Sequence, residues 1–149
     1  VKKILRFLPL LALVSCGPKY ETTYYKAISR DKRDTAVLRL LTSEETGAFY
    51  GDYQIRHDDS SIDDGSIKGH IKGDTLIGNF RFLSRENVKS IEPIAFLRTS
   101  ERLKLGTGIA GSFMGFQVYK GGSITFGDSL FQFQPIELEE LTSLKKSVK

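Results

Sequence analysis

Residues 66–82 alternate with a period of two, and that pattern constrains the fold more than any other feature of the chain. Ile67, Gly69 and Ile71 oppose Ser66, Lys68, His70 and Lys72; beyond Gly73-Asp74, Leu76, Gly78, Phe80 and Phe82 oppose Ile77, Asn79 and Arg81. A period of two puts one set on each face of an extended strand, and a helix cannot accommodate it. Gly-Asp between two such runs suits a two-residue hairpin loop. The same alternation separates Phe49, Gly51, Tyr53 and Ile55 from Tyr50, Asp52, Gln54 and Arg56 over 48–56. Further strands are expected at 36–42, 92–99, 102–109, 122–127 and 130–134, with Gly127-Asp128 as another hairpin turn; 113–119 is either a ninth strand or a Gly-flanked loop. The segment from Glu137 to Lys146 starts acidic and ends basic, which suits the dipole of a short C-terminal helix. The predicted fold class is therefore all-β: a curved antiparallel meander of about eight strands, forming a small up-and-down barrel or half-barrel with a short C-terminal helix.

Gly51, Gly69 and Gly78 fall on the apolar faces, where side chains would normally fill a core. Glycine repeated there marks bends or close backbone approach that let a sheet curl. The alternative is that the glycines leave a cavity for a small apolar ligand, lined by Phe49, Tyr53, Phe80 and Phe82. Curvature is the preferred reading, since glycine in strands has that role more often.

The N-terminal residues point to a compartment. Lys2, Lys3 and Arg6 precede an apolar run from Phe7 to Val14, then Ser15 and the single cysteine of the 149-residue chain, Cys16. That is a secretory signal layout, too short to span a bilayer. Leu13-Val14-Ser15-Cys16 resembles the bacterial lipobox, which implies cleavage before Cys16 and acylation of that cysteine. Gly17 follows where an inner-membrane retention signal has aspartate, so outer-membrane attachment is expected. The resulting division is a signal peptide over 1–15, a lipidated tether over 16–34 and one β domain with a helical tail over 35–149. One cysteine cannot form an internal disulfide or a thiolate zinc site, and two histidines offer little to a metal cage. Losing Lys2, Lys3 and Arg6 lowers the formal net charge from +4 to +1, which removes the case for a nucleic-acid partner.

Asp34-Thr35-Ala36-Val37-Leu38, the Gly65-x-Ile67-x-Gly69-x-Ile71-x-Gly73-Asp74-Thr75-Leu76 run, Phe80-x-Phe82-x-Ser84 and Ala95-Phe96-Leu97 together resemble a family of small lipoproteins of Bacteroidota, over roughly residues 34–134. The resemblance implies an envelope-anchored β-rich domain and carries no catalytic residues with it. Ser84-Arg85-Glu86 stands where relatives tend to have Ser-Glu-Gly, and the stretch from Gly106 to Gly122 looks expanded.

Four constellations invite chemistry. Gly106-Thr107-Gly108-Ile109-Ala110-Gly111 spells a dinucleotide fingerprint, but Ser112 to Tyr119 is too short, aromatic and Gly-interrupted to be the helix that fingerprint needs. It is expected to be a glycine-rich loop, and no cofactor is expected. Asp58, Asp59, Asp63 and Asp64 could form an irregular Ca²⁺ site, although the regular EF-hand spacing fails; the plainer reading is a solvated loop with Asx turns. His57 beside Asp58 and Asp59 could serve a hydrolase, but no G-x-S-x-G elbow accompanies it; His70, between Lys68 and Lys72, is expected to be exposed. Residues 44–74 are mainly acidic and 75–120 mainly basic, a split best explained as solvated surface. The sequence therefore predicts a non-catalytic envelope interaction module. Its partners are the membrane, through the anchor, and an envelope protein; the alternatives are a carrier of a small apolar ligand and a hydrolase using His57 and its acidic loop.

Overall fold

A computed structural model describes residues 17–84 and 86–146; the signal-peptide and Cys16 expectations lie outside the described residues. The chain forms β1 (Glu21–Ile28), β2 (Thr35–Ser43), β3 (Ala48–Arg56), β4 (Ile62–Lys72), β5 (Thr75–Leu83), β6 (Lys89–Arg98), β7 (Leu103–Leu105), β8 (Ala110–Phe113), β9 (Phe116–Tyr119), β10 (Gln132–Ile136) and α1 (Leu138–Lys146). Eight strands close into a barrel in the order β1-β10-β7-β6-β5-β4-β3-β2, while β8 and β9 form a separate hairpin. All barrel pairings are antiparallel, so the expected up-and-down meander is present and its closure is complete. β4 and β5 join through Gly73-Asp74, with Gly73 at φ 59°, the left-handed conformation that such a turn requires.

The alternation places one face of every long strand inside. Leu38, Phe49, Tyr53, Ile67, Leu76 and Phe80 are buried there, and Phe96, Phe131 and Phe133 complete the core. Arg39, Lys68 and Arg81 take the other parity and face outward; Arg39 pairs with Asp52 on the neighbouring strand at 2.6 Å. Gly69 stands directly opposite Gly78. A Cβ on Gly69 would lie 2.6 Å from the Cα of Gly78 and 2.6 Å from Cε1 of Phe49. The glycines therefore let strands and a core ring approach more closely than side chains allow, which is the curvature reading.

Three of the four rings named as a ligand lining are core, and the fourth, Phe82, is partly buried against it. Phe49, Tyr53 and Phe80 are buried; Tyr53 meets Phe80 with ring centroids 4.8 Å apart, and Phe80 stacks on Phe82 at 4.4 Å and 13°. An eight-stranded barrel is just wide enough for side chains to fill, and these aromatics fill it. Around Tyr53, Phe80 and Phe82 the rings therefore contact one another in the space the carrier expectation gave to a ligand.

Other boundaries also differ from expectation. Residues 21–28, expected to be part of the tether, are a barrel strand paired on both sides, with β2 and β10, which leaves Gly17–Tyr20 ahead of it among the described residues. Thr22, Thr23, Tyr24 and Tyr25 favour strand, and Tyr25 and Ala27 turn inward to the core. β4 begins at Ile62, so the last three residues of the expected 57–64 loop are strand. β7 stops at Leu105, well short of 109. The 113–119 segment belongs to the β8–β9 hairpin, which turns at Met114 and Gly115, both at positive φ. Residues 122–127 make only the Thr107–Thr125 bridge, so Gly127-Asp128 does not join two strands. The expected C-terminal helix is present as α1, tied to β1 by Lys26–Glu140 at 3.3 Å and with Leu141 buried.

The two barrel ends are unlike. The end where β1 begins carries the short connections 44–47, 73–74 and 99–102; the opposite, far end carries 29–34, 57–61 and 84–88.

Candidate functional site

At the far end the inward parity continues beyond the apolar core and becomes polar. Asp34 precedes β2, His57 follows β3, Asp63 starts β4, Ser84 follows β5, and Ser90 and Glu92 lie near the start of β6; each occupies the parity that faces the interior. They surround a cleft of ≈ 460 Å³ lined also by Phe82, Ser61 and Glu86. Phe82 is its apolar element and leads into the core through its stack on Phe80.

Local hydrogen bonds fix the rim. Buried Ser29 Oγ accepts the backbone N–H groups of Arg33 (3.1 Å) and Asp34 (2.9 Å) and donates to Asp31 Oδ1 (2.5 Å), folding the β1–β2 connection so that Asp34 faces the mouth. Across the mouth, the Asp58 N–H donates to Asp34 Oδ1 at 3.2 Å, and Arg33 Nη1 lies 3.5 Å from Asp58 Oδ2. The Ser61 N–H donates to Asp59 Oδ1 at 2.9 Å, an Asx turn of the kind expected.

His57 is at the centre of this set. Its Nδ1 is 3.3 Å from Asp34 Oδ2 and its Nε2 is 2.9 Å from Asp63 Oδ2. Ionised carboxylates only accept, so satisfying both contacts needs a proton on each ring nitrogen, which is the imidazolium form. Burial pulls its pKa down, but the hydrogen bonds and charges of Asp63 and Asp34 outweigh burial and hold it above 6.5. The carboxylates that pair with His57 come from β4 and from the β1–β2 connection; its sequence neighbours Asp58 and Asp59 do not pair with it. A second carboxylate does reach His57, as a hydrolase would need. However, Nε2, the nitrogen that would take a nucleophile's proton, already donates to Asp63, so Ser61, Ser84 and Ser90 have no free imidazole base.

No family model, curated protein or solved structure matches this chain. The site therefore has to be interpreted from its own chemistry.

The four aspartates named for Ca²⁺ do not converge. Asp63 faces the mouth and bonds His57, whereas Asp64, one residue later on the same strand, takes the outward parity and is exposed. Asp58 pairs with Arg33, and Asp59 caps its own turn. Among the described residues, no three metal-ligating side chains stand close enough to hold an ion. His70 stands on the outward parity of β4, between Lys68 and Lys72. The 106–111 segment runs through Gly106 and Gly108 into strand β8 and opens no helix, so it cannot present a helix N-terminus to a pyrophosphate.

Sequence reasoning named His57 and Asp63 but missed Asp34, Ser84, Ser90 and Glu92. Strand parity could have found them: Ser84 is two residues beyond Phe82, and Glu92 two before Ile94.

Proposed function

We propose that this chain is a lipid-anchored, non-catalytic interaction module of the bacterial outer membrane, presenting the polar mouth of its barrel to a partner in the envelope. One observation carries the reading: β1 begins at Glu21, at the barrel end opposite the cleft, leaving only Gly17–Tyr20 between it and the lipobox cysteine. At roughly 3.5 Å per residue, the near end is held within about 18 Å of an acylated Cys16. Tilted strands of this length then carry the mouth roughly 20–25 Å further from the bilayer.

Three features support it. The barrel keeps its apolar residues inside and its charged residues outside, the reverse of a bilayer-spanning barrel. His57 is engaged at both nitrogens, which suits binding better than proton transfer. The resemblance to small envelope lipoproteins agrees with the anchor.

Growth with an alkyne fatty acid tests the reading. The wild-type chain should take the label and fractionate with the outer membrane, and Cys16→Ala should do neither. Labelling of both chains, or of neither, overturns it.

A further inference from the structure

We infer that the β8–β9 hairpin is a dimerisation fin, whose apolar face packs against the same face of a second copy of this chain. This goes beyond the role proposed for the mouth and rests on the lipid anchor only where it excludes a bilayer.

The hairpin stands outside the barrel ladder yet is held at several points. At its base the Gly106 N–H donates to the Ala95 carbonyl (2.8 Å), Thr107 and Thr125 bridge, and the Lys120 N–H donates to the Ile109 carbonyl (2.8 Å). Further along, Asn79 Nδ2, on the outer face of β5, donates to the Gln117 carbonyl at 2.6 Å, and β9 lies against β5 and β6. The turn has Met114 at φ 51° and Gly115 at φ 81°, the form that matches the twist of a two-residue hairpin. Glycine or asparagine adopts that conformation with least strain, so a methionine there is an apolar side chain displayed at a cost.

Strand pairing sorts the side chains. Phe113 stands opposite Phe116 and Gly111 opposite Val118, so these share a face with Ile109, two residues before Gly111; Ala110, Ser112, Gln117 and Tyr119 take the other. Ile109, Phe113, Met114, Phe116 and Val118 are 60, 66, 82, 61 and 37% exposed. They are five of the twelve large hydrophobics exposed among the described residues, gathered in ten positions, and it is such gathering that marks an interaction surface. From Leu105 to Tyr119 there is no charged residue and no proline, so the fin lacks the devices that usually keep an exposed strand from associating. A two-stranded sheet is marginal by itself, and an apolar face on it calls for a second layer.

A second copy supplies that layer. At roughly 150–200 Å² for a residue of this size, the exposed fractions leave about 500 Å² open on each chain, so two faces together bury about 1,000 Å², the lower bound of a specific interface. The charge in line with this face is Lys120, which lies beside Gly111 at the base, so the apolar tips meet without like-charge repulsion. A face that packs on itself closes with two copies. The fin rises from the barrel wall at Asn79, so the pair leaves both barrel ends free. A bilayer would also accept apolar side chains. However, β5 lies four strands from β1 around the ring of eight, so a chain anchored just ahead of β1 carries the fin on the side away from its anchor.

The mass of the full chain in solution tests this. In density-matched detergent the wild type should sediment as a dimer, and Phe113→Ser or Phe116→Ser should each weaken the association at least about tenfold, with the melting temperature unchanged because both rings are exposed. Ile28→Ser, at an exposed position on β1, should associate as the wild type does. The full chain with Cys16→Ala, which lacks the acceptor sulfur, should form the same dimer in plain buffer. It should float with vesicles of phosphatidylethanolamine and phosphatidylglycerol no more than its Phe113→Ser form does. A wild-type chain that stays monomeric up to about 100 μM, or a Phe113→Ser chain that associates equally well, overturns the inference. Vesicle flotation that depends on Phe113 assigns the fin to a bilayer and overturns it too. Cys16 labelling is scored separately, so a monomer with the label intact overturns only this inference.

Discussion

Gly69→Ala tests the packing argument most directly. An added Cβ would lie 2.6 Å from Gly78 Cα and 2.6 Å from Phe49 Cε1, with the Ile77 carbonyl oxygen closer still. Ordinary contact starts at 3.4 Å and the Ile77 carbonyl oxygen would lie at 2.1 Å, so β4 and β5 would have to separate by more than an ångström at their centre, and the buried Phe49 ring would have to move. Losing two ladder hydrogen bonds costs about 1–3 kcal/mol, and forcing a core ring out of its rotamer costs about 1–3 kcal/mol more. The expected destabilisation is therefore about 2–6 kcal/mol, a large share of the roughly 5–15 kcal/mol that holds a domain together. Two further substitutions separate the causes. Gly73→Ala meets open space but sits at φ 59°, so it should lose only about 1 kcal/mol, from the strained backbone. Gly127→Ala meets open space at an ordinary φ and should stay within about 0.5 kcal/mol of wild type. Urea unfolding of the three variants, with slopes compared to confirm a common denatured state, gives the ordering. If Gly69→Ala unfolds at the same urea concentration as Gly127→Ala, the glycines are not points of close approach and the explanation of the curvature is wrong.

Two other predictions concern the polar groups. Because the folded-state pKa of His57 lies above 6.5, its clamp contributes fully below that pH and is lost as pH rises through the folded value. Unfolding free energy should fall over that window in the wild type and change less in His57→Gln; equal slopes in urea titrations across pH would refute the imidazolium assignment. Tyr53→Phe removes an unpartnered buried hydroxyl and should raise the stability of the unliganded chain by about 1 kcal/mol, measured in the same urea assay. A loss of stability would mean the hydroxyl is satisfied.

The barrel was legible where one face of a strand is apolar along its length. β2, β3 and β5 lie within a residue of their expected bounds, because Leu38, Phe49, Tyr53 and Phe80 must go inside and a shift of one residue would turn them all out. β1 was missed because its sequence, Glu21 to Ile28, has few aliphatic residues and a polar outer face, which made it resemble a tether. Its strand character comes from long-range pairing with β10, whose Gln134 lies opposite Lys26 more than a hundred residues away, and no local pattern encodes that contact. The stretch between β7 and β10 was misjudged for the opposite reason. It has local strand propensity, but Gly121 and Gly122 interrupt it, with Gly122 at φ 72°, so 122–127 never joins the ladder.

The mouth shows how closeness in sequence can mislead. Asp63 and Asp64 are adjacent in sequence but face opposite sides of β4, so a run of acids inside a strand cannot converge on one ion. The residues that do converge are far apart, at 34, 57, 63, 84, 90 and 92, and share only their inward parity and their position beyond the last apolar layer. In a barrel whose middle is filled by side chains, a ligand can enter only where that filling stops. At the far end it stops at Phe82, which shares the wall of the cleft with Asp34, His57, Asp63 and Glu92. The rule that fixes the core thus also locates the site: follow each inward face past its last apolar residue, and the polar groups found there are the ones brought together.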